Sequence, residues 1–244
     1  TARGGLLREG LAFDKCKVAI VTNVGAGDHL GLNYITTVED LAVLKRVIVN
    51  NVAQSGTAVL NADDPIVVRM APNCPGAITF FATDPNHPVI ASHKAQGKRV
   101  VCVEDGHILA LEGEFRVAIA LKDIPLTCGG AIGFQVENVM AAVAAAWALD
   151  LPWHTIRRGL ASFTSDAKAV PGRFNLFEFR GATLIADYGH NPDAIEALVQ
   201  AVQNMPSRKR SVVISAAGDR RDEDIRAQTQ ILGRAFDDVV LYQD

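Results

Sequence analysis

The sequence predicts an α/β protein in two units: a central parallel-sheet domain with an antiparallel insert, followed by a shorter strand–helix unit. Three observations predict it. Short runs rich in Val and Ile, such as residues 17–22 and 211–216, read as strands buried on both faces. They alternate with amphipathic or Ala-rich helical runs, the succession that gives parallel strands with right-handed crossovers. Between residues 89 and 126 this alternation stops, and Glu104-Asp105-Gly106 and Glu112-Gly113 mark hairpin turns between short strands.

Taken in order, residues 17–22 form the first strand and residues 23–31, Asn-Val-Gly-Ala-Gly-Asp-His-Leu-Gly, a glycine-rich turn at its end. Thr36-Thr37-Val38-Glu39 offers a capping box for a helix running to about Ala53. Val38, Leu41, Ile48 and Val52 mark its buried face, and Lys45 falls on that same face. A lysine there must snorkel, lower its pKa or find a partner, and snorkelling is the commoner outcome. Residues 57–60 are a strand ending in Asn61-Ala62-Asp63-Asp64-Pro65, residues 65–70 a helix and residues 77–81 a strand. The insert places strands at 99–103, 107–111 and 114–121. Gly133 opens an Ala-rich helix to about Leu149, and a second helix covers 152–162. Pro171-Gly172-Arg173 punctuates the chain, so the units divide into 1–169 and 170–244. The second unit has strands at 174–179, 183–186, 211–216 and 239–242, with helices at 192–203 and 222–236.

Composition bounds the function. The 244 residues are 49% hydrophobic and 21% charged, a globular balance that leaves no disordered tract. A net charge of −3 argues against nonspecific nucleic-acid binding. No apolar run is long enough to span a membrane, and the first residues do not form a signal peptide. The four cysteines (Cys16, Cys74, Cys102 and Cys128) lack zinc spacing and read as reduced, mostly packed thiols of a cytoplasmic protein. The missing initiator Met and the strand-like ending suggest an internal fragment of a longer chain.

The chemistry gathers at strand ends. In Ala186-Asp187-Tyr188-Gly189-His190-Asn191-Pro192, Asn191 suits an N-cap and Pro192 the first helical position. Asp187 and His190 therefore stand on a strand-to-helix turn, the rim where open parallel sheets bind ligands; a well-capped solvated loop is the plainer alternative. Asp219 follows the next strand and would share that rim if the two strands are neighbours. An aspartate suits a ribose hydroxyl and Arg220 and Arg221 suit phosphate or carboxylate, although 219–224 could equally be a solvated helix start. Asp28 and His29 occupy a comparable turn in the first unit. No phosphate loop of the form G-x-x-x-x-G-K-[ST] occurs.

In order and spacing, Asp28-His29-Leu30, Asn61-Ala62-Asp63-Asp64-Pro65, Asn138 in the Ala-rich helix, Pro171-Gly172-Arg173-Phe174 and Asp187-Tyr188-Gly189-His190-Asn191-Pro192 resemble the Mur ligase superfamily. Residues 2–11 and Gly218-Asp219-Arg220-Arg221-Asp222-Glu223-Asp224 are similar to its cyanophycin synthetase branch, in the Mur-ligase-like C-terminal half. The resemblance implies a central ATP-binding domain at 1–169 and a Rossmann-like C-terminal domain at 170–244, both incomplete. It implies an ATP-dependent amide ligase that phosphorylates a carboxylate for attack by an amine. In that branch the amine is arginine and the carboxylate the side chain of aspartate on a polymer. A muramyl-peptide or folylpolyglutamate ligase is the enzymatic alternative; a catalytically silent binding or assembly module is the non-enzymatic one.

By position, His29 matches a magnesium ligand and Lys45 a lysine carbamylated in several relatives, both metal-side and catalytic. Asn61 and Asn138 match nucleotide-side positions, Arg173 a catalytic contact near the nucleotide, Asp187 the ribose and His190 a nucleotide-side residue. The implied cofactors are ATP and Mg2+. The implied partners are an amino acid and an aspartate-containing polymer or peptide, with neither nucleic acid nor membrane, and the full-length protein a homo-oligomer. The family's phosphate loop and a metal-binding glutamate would lie before Thr1, so the fragment alone is expected to be inactive.

Overall fold

The computed structural model describes residues 3–25, 30, 34–215 and 221–242. After a short helix α1 (Arg3–Glu9), six strands form one sheet in chain order: β1 (Cys16–Val21), β2 (Val52–Asn61), β3 (Ala77–Ala82), β4 (Val100–Glu104), β5 (His107–Glu112) and β6 (Phe115–Ala120). β1 to β4 run parallel, and β5 and β6 add antiparallel strands at the same edge. The insert thus continues the main sheet, and its first strand belongs to the parallel part.

Period-2 alternation sends neighbouring residues to opposite faces. Leu60, Phe80 and Val100 pack on one face with Leu41 of α2 (Val38–Asn50) and Ile90 of α4 (Pro88–Ala95). Val59, Phe81 and Val101 pack on the other with Met140 and Trp147 of α5 (Gly133–Ala148) and Ile156 of α6 (Trp153–Ser162). A sheet covered on both sides explains the near-continuous apolar strands.

Local differences from the expected elements have local causes. The capping box of α2 is shifted one residue: Thr37 is the N-cap, its side chain accepts from Asp40 N, and the Asp40 carboxylate accepts from Thr37 N. β2 begins at Val52, five residues early: Val52 pairs with Cys16 of β1, the register shifts across residues 53–56, and regular pairing resumes at Thr57. α4 was not expected; its N-cap is His87, whose Nδ1 accepts from Val89 N, instead of a Ser, Thr, Asp or Asn.

His93 of α4 is buried, with Nε2 donating to the Ile78 carbonyl at 3.0 Å and its ring edge-on to Phe80 at 5.0 Å. Burial holds its pKa below the ordinary 6.5, the Ile78 bond opposes that, and Lys98 adds to it. The unfolded chain therefore binds the proton first. The contribution is intact above about pH 6.5 and is lost as pH falls towards the depressed folded value. Stability measured from pH 7.5 to 5 should fall by at most about 1.4 kcal/mol per pH unit through this group. The non-titrating variant His93→Asn should show a shallower slope; equal slopes would rule the group out.

In the second unit, β7 (Asn175–Phe179) and β8 (Ala182–Ala186) pair as an antiparallel hairpin. Arg180 and Gly181 between them both have positive φ (51° and 78°), the signature of a type I′ turn. β9 (Ser211–Ser215) and β10 (Asp238–Tyr242) pair in parallel, with α7 (Pro192–Gln203) and α8 (Asp222–Ala235) packed through Ile195, Val199 and Leu232. Among the described residues β8 bonds to β7 and not to β9, so the neighbouring-strand premise for one rim bearing Asp187 and Asp219 does not hold. Ile132 and Phe134 beside the start of α5 pack with Phe174, Leu198 and Ala201, and Asn204 Nδ2 donates to the Ala131 carbonyl. That contact sets α7 against the mouth of the main sheet.

Candidate nucleotide and substrate cleft

The two units enclose a cleft of about 1040 Å³. Its floor is the carboxyl end of β1 and β2, and one wall is the first turn of α5. The opposite wall is the β8–α7 turn, and the 163–173 connection closes one side. Of the expected site residues, Lys45, Asn61, Asn138, Arg173, Asp187 and His190 all line it. They come from five elements far apart in sequence. His29, Gly218, Asp219 and Arg220 lie outside the described residues.

Several lining groups are already engaged. Asp187 accepts from Phe174 N at 2.8 Å through Oδ2 and from Gly189 N at 2.6 Å through Oδ1. It therefore steadies its own turn and the start of β7, although each carboxylate oxygen keeps a second lone pair. His190 donates from Nδ1 to the Tyr188 carbonyl at 2.8 Å, with its ring tilted against that of Tyr188. Asn191 caps α7 through Ala194 N, as expected. Asn138 donates to Gln135 Oε1, and Asn61 Oδ1 accepts from Asp63 N.

The two aspartates after Asn61 tie three strand ends together. Asp64 accepts from Val24 N at 2.7 Å, joining the β1 turn to the start of α3 (Pro65–Val68), and also from Ile66 N and Val67 N. Asp63 accepts from the backbone and hydroxyl of Thr83, after β3. Arg221, read as an anion-binding candidate, is instead the N-cap residue of α8 and is paired through two nitrogens with Asp224. The helix-start alternative holds there, because a carboxylate three residues on is the nearer partner.

Two features were not read from the sequence. Glu137 lines the cleft one residue before Asn138, and burial, then the charge of Asp63, push its pKa above the ordinary carboxylate range. Its position beside Asn138 on the opening of α5 was the available signal. Gly25 lies so close to α7 that a Cβ there would overlap the Asp193 carboxylate, so the β1 turn and the α7 N-terminus meet across the cleft at a residue lacking a side chain. With Asp63, Asp64, Glu137, Asp187 and Asp193 lining it, the cleft is richer in carboxylates than in cations, which are Lys45 and Arg173 among the described residues.

Among the described residues no three His, Cys, Asp or Glu side chains are grouped to hold a metal ion, and no helix is long and apolar enough to cross a membrane. All four cysteines are free; Cys102 is buried, whereas Cys128 is exposed and so departs from the packed thiol expected.

Residues 6–146 match the Mur ligase middle domain family, and residues 172–244 the Mur ligase glutamate ligase domain family. The chain is 40% identical over 245 residues to the cyanophycin synthetase of Crocosphaera subtropica, covering all of this chain and 28% of that protein. Among solved structures it resembles the MurF ligase of Thermotoga maritima in complex with ADP, with TM-score 0.63 and 23% identity. That match covers 93% of this chain and 49% of the other. It also resembles Escherichia coli FolC in complex with ADP, with TM-score 0.63 and 20% identity over 93% of this chain and 47% of the other.

Proposed function

The chain belongs to the Mur ligase family, and we propose on that premise that it carries much of the active site of an ATP-dependent carboxylate–amine ligase acting through an acyl phosphate. The chain spans under a third of the cyanophycin synthetase it matches, so the activity is that of the intact protein containing it. The observation that carries the reading is the convergence of Lys45, Asn138, Arg173, Asp187 and His190 on one cleft at the carboxyl end of a parallel sheet. Two structural relatives of this fold hold ADP.

Residues 1–169 form the central ATP-binding domain and 170–244 the C-terminal domain. Asn61 and Asn138 lie on the base side, Asp187 and His190 on the sugar side, and Arg173 faces the phosphates, where its fixed fork suits an anion. His29 with a carbamylated Lys45 is the candidate pair for a magnesium ion, which would neutralise charge on the transferring phosphoryl group. The level of relatedness to cyanophycin synthetase favours arginine as the amine and an aspartate side chain of a polymer as the carboxylate, in the cytoplasm and in a homo-oligomer.

Asp187→Asn tests the nucleotide assignment. Loss of the charge should raise the KM for ATP about 10-fold, equivalent to about 1.4 kcal/mol, and leave the KM for the amine unchanged. The variant should also melt lower, because an amide NH2 faces a backbone N–H that the carboxylate accepts. A lowered Tm with an unchanged KM for ATP would leave Asp187 as a turn residue alone.

A further inference from the structure

We propose that Asn175 is a positioning residue for Arg173, acting through a hydrogen-bonded strap that joins Ser165, the 170–175 connection and Asp187. The proposal rests on the reading above, in which Arg173 touches the nucleotide.

Arg173 lies on an exposed connection between two units, where a long side chain and its backbone would ordinarily sample many conformations. Here the main chain is tied on both sides of it. The Arg173 carbonyl accepts from Ser165 Oγ at 2.5 Å. The next N–H, that of Phe174, donates to Asp187 Oδ2 at 2.8 Å, and the preceding one, that of Gly172, donates to Asn175 Oδ1 at 2.7 Å. The Gly172 carbonyl in turn accepts from Tyr188 N at 2.9 Å.

Asn175 holds the centre of this arrangement at 1% exposure. Its Nδ2 donates to the carbonyls of Ser165 at 2.8 Å and Val170 at 2.9 Å while its Oδ1 accepts from Gly172 N. Only a side-chain amide of that length supplies one acceptor and two donors to three backbone groups; aspartate would present a second oxygen to two carbonyls. The backbone turns sharply on both sides of Arg173, with φ of +68° at Gly172 and +52° at Phe174. Phe174 is anchored in that left-handed conformation by its buried ring, edge-on to Phe134 at 5.5 Å. With its peptide fixed, Arg173 directs its guanidinium into the cleft, 5.9 Å from the ring centre of Tyr188. Pre-organising the arginine in this way cuts the ordering cost at the moment the anion binds.

The test is a double-mutant cycle in the intact protein, read as kcat/KM for ATP together with a thermal melt. Asn175→Asp should lower kcat/KM about 10-fold and Ser165→Ala about 3-fold, each at a temperature well below its melt. In an Arg173→Ala background either change should cost less than about 2-fold, because the group being positioned is gone. Equal losses with and without Arg173 would overturn the proposal and leave Asn175 as a fold residue. If Asn175→Asp fails to fold, the Ser165→Ala arm decides by the same criterion. If Arg173→Ala alone leaves kcat/KM for ATP unchanged, the nucleotide reading of the cleft fails, an outcome distinct from an impaired Arg173→Ala with additive partners.

Discussion

Replacing Lys45 with alanine is expected to lower kcat for ligation by about 100- to 1000-fold in the intact protein, with little change in Tm. Lys45 projects from α2 into the cleft, and with Arg173 it supplies the cationic lining among the described residues. Negative charge builds on the leaving oxygen and spreads over the equatorial oxygens of the transferring phosphoryl group, and a fixed group that meets it is worth about 10²- to 10³-fold. Lys45 is only partly buried, so its loss opens no large cavity in the core. Two chemistries are separable. A carbamate at Lys45 forms from CO2 and the neutral amine, so activity should fall in CO2-free buffer and return with bicarbonate. A plain ammonium would be indifferent to CO2, and Lys45→Arg would keep part of its activity. A kcat for Lys45→Ala within about 3-fold of the parent would remove Lys45 from the mechanism.

The largest expected effect on stability is that of Gly76→Ala. Gly76 precedes β3, and a Cβ there would fall inside 3.0 Å of the carbonyl oxygens of Gly56 and Ala53 at the start of β2. Those are backbone atoms, Gly56 immediately before the first β2–β3 pair, Thr57 with Ala77, so neither can swing aside as a side-chain tip would. Overpacking of this kind costs about 3 kcal/mol. For a chain of this size that is a Tm lower by about 6–12 °C. Gly133→Ala is the control: it lies in the first turn of α5 with open space around its Cβ position, and it should be neutral or slightly stabilising. A Gly76→Ala melt within 2 °C of the parent would mean that β2 and β3 separate more easily than their pairing implies.

The parts of this fold that were legible in the sequence are those where local chemistry and tertiary packing agree. β1, β3 and α5 read directly because β-branched runs and an Ala-rich stretch are also what a doubly covered sheet buries. α4 was hidden by its brevity and by a histidine cap. The first half of β2, Val-Ala-Gln-Ser-Gly, carries no strand signal of its own; it is the irregular stretch between the Cys16–Val52 pair and the regular pairing with β1 and β3 that starts at Thr57. Alternation in residues 99–103 could not say whether that strand runs parallel or antiparallel, since direction is a property of the neighbour.

At the site, the turn carrying Asp187 and His190 was legible because Asn191 and Pro192 mark the start of the helix that follows it, whereas α5 has no side-chain cap and Asn138 was singled out by the resemblance alone. What the sequence could not convey was how their hydrogen bonds are distributed. Asp187 is bonded to two backbone amides, Arg221 to Asp224, and the binding of Gly172 by Asn175 depends on a chain reversal that no spacing encodes. Glu137 was missed because a carboxylate on a helix ordinarily reads as solvated, and only the fold brings Asp63 beside it.

The measurement that tests the central claim most directly is transfer of oxygen from the carboxylate to phosphate. The intact protein is supplied with ATP, arginine and an aspartate-containing peptide whose side-chain carboxylate carries 18O. If an acyl phosphate forms, attack by the amine breaks the bond between the carbonyl carbon and the bridging oxygen, and that oxygen leaves with the phosphoryl group. The account predicts ADP and one 18O atom in each inorganic phosphate released, in step with amide formed. Amide formation with unlabelled phosphate, or with the label in AMP, would contradict it.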